Sequence, residues 1–150
     1  MADIKIAAIM RAGAYSPNHI GNDAAILNAV VEQLRKRGCE VNGYSEEQLN
    51  AGEVSEQVIV NMCREQQSIA RLQKYEDEGR LVINSGYGIE NCTRERMTRI
   101  LIGHGIPYPD SLIVDTDEVV KQRLKESGFS SAWIKRGDGC AMHKEDVSYV

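Results

Sequence analysis

The chain has 150 residues, 42% hydrophobic and 27% charged, with a formal net charge of −4. That is enough for one domain, or one domain and a fraction of another, around a proper core. The negative balance and the 5% aromatic content exclude a generic polyanion binder and a base-stacking nucleic-acid surface.

Ile4–Met10 is a continuous apolar, β-branched run and reads as a central strand. The loop after it, Arg11–Asn22, is rich in Gly, Ser, Pro and Asn, and Asn22 or Asp23 is placed to cap the next helix. Ile26, Leu27, Val30, Val31 and Leu34 form that helix's apolar stripe, and Gly38 ends it. Cys39–Tyr44 is a second strand, so a parallel pair with a right-handed crossover is expected. Val58–Met62 is a third strand, and Glu65–Glu78 a charged helix with Ile69 and Leu72 inward. Leu81–Asn84 is a fourth strand, followed by one helix from about Ile89 to His104 with Cys92, Met97, Ile100 and Leu101 on one side. The alternation predicts a doubly wound, Rossmann-like parallel sheet over residues 1–105.

Pro107 and Pro109 mark a linker, because prolines so close cannot continue a helix. The rhythm then changes. Leu112–Val114 reads as a strand, and Asp115 or Thr116 as the cap of a short helix carrying Val119, Val120 and Leu124. Ala132–Lys135 is a strand, Arg136–Ala141 a turn, and Val147–Val150 the start of another strand. Residues 106–150 therefore read as a partial α+β piece. Its last strand offers an edge open to pairing with another chain, a second copy included.

No apolar run is long enough to span a bilayer. The start has no positive segment followed by an apolar run and a cleavage site. Cys39, Cys63, Cys92 and Cys140 form no CxxC pair, and the chain reads as a cytoplasmic protein with reduced thiols. Cys140 and His143 lack further ligands at zinc spacing, and no metal ligands are assigned.

Three places carry candidate chemistry. The loop Arg11–Asn22 lies beyond the carboxyl end of a strand and at a helix start, where open α/β sheets bind ligands. Ser16, Asn18 and Asn22 there suit hydrogen bonding to a substrate, and equally an ordinary polar surface loop. Lys135 ends an apolar strand before Gly137-Asp138-Gly139, which suits either a polyphosphate or a solvated hairpin end. Arg94, near the start of its helix, either reaches a phosphate or is solvated like Arg96 and Arg99.

Taken together these residues resemble the ATP-grasp superfamily, in its D-alanine–D-alanine ligase and glutathione synthetase branch. The resemblance runs through Val82-Ile-Asn84, Ile89-Glu-Asn-Cys-Thr-Arg94 and Leu101 to Gly105-Ile-Pro-Tyr-Pro109, then Leu112-Ile-Val114 and Trp133-Ile-Lys135. It implies a pre-ATP-grasp domain at 1–105 and part of the first ATP-grasp subdomain at 106–150. It also implies that Arg94 and Lys135 bind the ATP phosphates, and that the loop with Ser16 and Asn18 contributes to the acceptor or carboxylate site. Two departures stand: the helix position usually carries lysine, and the turn Arg136-Gly-Asp-Gly-Cys-Ala141 is shorter than the family's glycine-rich loop.

The implied chemistry is activation of a small-molecule carboxylate by ATP as an acyl phosphate, then attack by an amine, with Mg2+ neutralising the transferring group. In the family the Mg2+ ligands are a later set of Asp, Glu and Asn. The chain thus reads as the N-terminal portion of a ligase, catalytically silent alone. The alternative is a non-catalytic Rossmann-like module that holds a nucleotide or metabolite.

Overall fold

The computed structural model describes residues 4–15, 20–117, 119–137 and 146–150. The chain is α/β and divides into two compact units, Met1–Glu90 and Asn91–Val150. The boundary expected at 105/106 falls within the second unit.

In the first unit β1 (Lys5–Ile9) is followed by a 3-10 turn at Gly13–Tyr15 and by α1 (Ile20–Lys36). Then come β2 (Glu40–Tyr44), α2 (Glu46–Ala51), β3 (Val58–Asn61), α3 (Gln66–Asp77), β4 (Leu81–Ile83) and α4 (Gly86–Asn91). The four strands form one sheet in the order β2-β1-β3-β4, and every neighbouring pair is parallel. This is the expected Rossmann-like arrangement. Because side chains alternate across a strand, the register sends Ala7, Ile9, Ile59 and Val82 to one face. There they pack with Leu49, Leu72 and Tyr75 from α2 and α3. Ile6, Ala8, Val41 and Val60 face the other way, against Leu27, Val31 and Leu34 of α1. Burial on both faces is why the central strands β1 and β3 read as unbroken apolar runs.

Several local expectations change. α1 begins at Ile20, before Asn22 and Asp23, so neither residue caps it. Asp23 lies in the first turn and pairs with Arg11, 2.7 Å away. Ile26 and Val30 are exposed, because Leu27, Val31 and Leu34 alone lie on the face toward the sheet. α2 was not expected, although Ser45 and Gln48 form a capping box and Gly52 closes the helix in the left-handed conformation.

The second unit holds α5 (Arg94–Gly103), α6 (Val120–Glu126), β5 (Trp133–Lys135) and β6 (Val147–Tyr149). β5 and β6 form an antiparallel pair, with Trp133 opposite Tyr149 and Lys135 opposite Val147. The expected single helix from Ile89 to His104 is two helices, broken before Thr93, which is the N-cap of α5. Cys92 and Met97 are exposed, not inward. Leu112–Val114 forms no strand; three apolar residues favour extended backbone but do not supply a pairing partner. The short helix starts at Val120 rather than at a cap on Asp115 or Thr116, after a turn in which Asp117 Oδ1 accepts from the Val119 N–H.

Candidate functional site

The strand order reverses between β1 and β3, and the loops at their carboxyl ends flank the position where open α/β sheets bind ligands. Ser16 and Asn18 lie outside the described residues. The chain leading to them is tied down from below. The Arg11 guanidinium donates to Met62 O (3.0 Å) and to Asp23 Oδ2 (2.7 Å). Glu46, buried at the start of α2, accepts from the Ala12 N–H through Oε1 (2.8 Å) and from the Glu65 N–H through Oε2 (3.2 Å). One carboxylate therefore joins the loop after β1 to the entry of α3. Each of its oxygens meets a backbone donor, as a buried charge requires.

Asn61 closes β3. Its Nδ2 donates to Asn84 O (2.7 Å), and its Oδ1 accepts from the Cys63 N–H (3.1 Å). Burial, then the nearby Glu46 carboxylate, push the Cys63 thiol well above its ordinary pKa. Cys63 packs in the core, 2% exposed.

The second unit brings Arg94 and the end of β5 together. The break before Thr93 makes Arg94 the first residue of α5. Its Nη1 donates to Arg136 O (3.0 Å), and the Glu95 N–H donates to Gly137 O (3.0 Å). The first turn of α5 is thereby fastened to the two residues that follow Lys135. A Cβ at Gly137 would stand in ordinary van der Waals contact with the Glu95 side chain, so the approach is close without requiring glycine. The Arg136 N–H donates to Asp146 O (3.0 Å), the residue just before β6.

Arg94 is half-buried and spends part of its five-donor fork on one carbonyl. Lys135 is exposed and shares a strand face with Trp133, Val147 and Tyr149. The start of the ten-residue helix α5 and its Arg94 guanidinium thus sit against the backbone that directly follows Lys135. Asp138, Cys140 and His143 lie outside the described residues. Among the described residues no group of three or more His, Cys, Asp or Glu could hold a metal ion, and no helix is long and apolar enough to cross a membrane.

Sequence reasoning picked out Arg94 and Lys135 but passed over Glu46 and Asn61, because acidic and amide side chains are ordinarily exposed. The signal for Glu46 was local: it directly follows Ser45 in the overlooked capping box.

No family model matches the sequence, and no curated protein is similar to it in sequence. The fold is a parallel α/β sheet followed by a small antiparallel pair. It is shared with the crystal structure of D-alanine–D-alanine ligase from Bacillus anthracis, at a TM-score of 0.68 and 16% identity. The match covers 98% of this chain and 49% of that one, so the chain spans about half the length of the solved ligase. At this identity the likeness concerns the fold.

Proposed function

We propose that these residues form the N-terminal portion of an ATP-dependent carboxylate–amine ligase, with Arg94 and Lys135 on the phosphate side of the nucleotide. The observation that carries the reading is the fastening of Arg94 to Arg136 O, which holds the guanidinium beside the residue that follows Lys135. The donor set fits a polyphosphate: Arg94 offers a planar fork and Lys135 a mobile point charge. Magnesium, when bound through carboxylates outside these 150 residues, would neutralise the transferring phosphoryl group. This chain's own part is to orient the phosphates. The loop that contains Ser16 and Asn18 would contribute to the acceptor or carboxylate site. A cytoplasmic location goes with the same reading.

The test follows ADP release from the protein in the length in which it is made, with ATP, magnesium and a panel of amino acids. Amino-acid-dependent turnover that is lost in Lys135→Ala is expected. ATP binding without any turnover would favour the non-catalytic module instead. The 150 residues assayed alone should release no ADP above the Lys135→Ala control, and turnover there would contradict the division of labour proposed.

A further inference from the structure

Among the described residues of the second unit, only Thr98 is buried, at 6% exposed. Thr98 Oγ1 donates to Arg94 O (2.8 Å), one turn back along α5, and lies 3.1 Å from the Tyr108 hydroxyl. A hydroxyl has one proton to give. Because that of Thr98 goes to Arg94 O, Tyr108 OH is the donor to Thr98 Oγ1. Tyr108 arrives from the segment that follows α5. That segment turns at Gly105, in the left-handed conformation at φ 63°, and the Ile106 N–H donates to Leu101 O (3.0 Å).

The result is a directed chain of hydrogen bonds, from Tyr108 OH to Thr98 Oγ1 to Arg94 O. A threonine hydroxyl bonded to the carbonyl four residues back competes with the helix ladder and bends the turn. A donor on the same hydroxyl oxygen fixes which way its proton points. Arg94 is held at its other end as well. Its Nη1 donates to Arg136 O (3.0 Å), and the N–H of the next residue, Glu95, donates to Gly137 O (3.0 Å). The Arg94 carbonyl and guanidinium are thus both fixed. Packing alone would be served at position 98 by valine, which has no hydroxyl to satisfy.

We propose that Tyr108 is a positioning residue for the phosphate site: through Thr98, its hydroxyl sets the first turn of α5 and so the direction of the Arg94 guanidinium. The proposal rests on the nucleotide reading above, and it adds a residue outside both β5 and the first turn of α5.

The experiment uses the protein in the length in which it is made, with its Tyr108→Phe, Thr98→Val, Thr98→Ser and Arg94→Ala variants, each checked for folding by circular dichroism. Amide hydrogen exchange at Glu95 is followed without nucleotide, and ATP binding by calorimetric titration. Tyr108→Phe and Thr98→Val should each speed exchange at Glu95 and weaken ATP binding about three- to tenfold, the effect of one lost hydrogen bond. Thr98→Ser keeps the hydroxyl and should restore both readings. Should Thr98→Val fail to fold, Tyr108→Phe decides alone. A merely structural hydroxyl would leave the ATP affinity of folded Tyr108→Phe unchanged; that result, or unchanged exchange at Glu95, would overturn the proposal while Arg94→Ala still weakens binding. Unchanged ATP affinity in Arg94→Ala would instead sink the nucleotide reading, and the proposal with it.

Discussion

The two units use apolar residues in opposite ways. In Met1–Glu90 the central strands of the sheet are covered on both faces, and Ile9, Leu49, Ile59 and Leu72 are essentially inaccessible. In Asn91–Val150 the one buried residue among those described is Thr98, which bonds the Tyr108 hydroxyl at 3.1 Å. The Trp133 and Tyr149 rings meet at a tilt of 55°, yet they stand 63% and 62% exposed. The first unit is organised by burial. The second is organised by named hydrogen bonds, above all those joining the first turn of α5 to the residues after β5. A substitution should therefore cost most where it opens a cavity and least where it trims a side chain already in water.

The largest effect is expected from Leu72→Ala, which empties the middle of the first core; it should lower unfolding free energy by about 2–5 kcal/mol in urea titration. A fall as small as that of a surface substitution would break the contrast. Gly86→Ala comes next. A Cβ at Gly86 would lie 2.9 Å from the Gln73 backbone N and 3.1 Å from Ile69 O, so α3 or α4 must shift, at about 1–3 kcal/mol by the same titration.

A subtler effect is pH dependence at Glu56. Burial pushes its carboxyl pKa up, but hydrogen bonds from Asn42, from its own backbone, from Tyr44 and from Ser55 outweigh this and hold it below the ordinary value. The folded state therefore binds fewer protons there than the unfolded state. The stabilisation is complete above the ordinary carboxylate range and is lost as the pH falls through the lowered folded value. Acid titration of unfolding should show this slope in the native chain and not in Glu56→Gln. The smallest effect is expected from Trp133→Ala, within about 1 kcal/mol despite the size of the side chain, since little of it leaves water on folding. A large loss would show that the second unit is sealed by burial after all.

The same contrast explains what could be read in advance. β1 and β3 were legible because strands buried on both faces need unbroken runs such as Ile6–Ile9 and Val58–Val60. The α1 stripe was too wide by Ile26 and Val30, since periodicity alone does not say how much of a helix the sheet covers. In the second unit burial leaves little imprint on the sequence, and there the reading slipped: Leu112–Val114 lacks a strand partner, and the break before Thr93 carries no glycine or proline to announce it. Arg94 and Lys135 were found through resemblance to a family's motif. Their meeting through Arg136 O spans 42 residues, a relation no local pattern encodes. Glu46 and Glu56 were hidden because their burial depends on backbone and hydroxyl donors from distant segments.

The most direct measurement is calorimetric titration of ATP into the protein, in the length in which it is made, and into its Lys135→Ala and Arg94→Ala variants. If the junction of α5 and β5 holds the phosphates, each variant should bind ATP about tenfold or more weakly, as loss of a charge-assisted contact predicts, with the fold unchanged by circular dichroism. Unaltered ATP affinity in a folded Lys135→Ala protein would contradict the account.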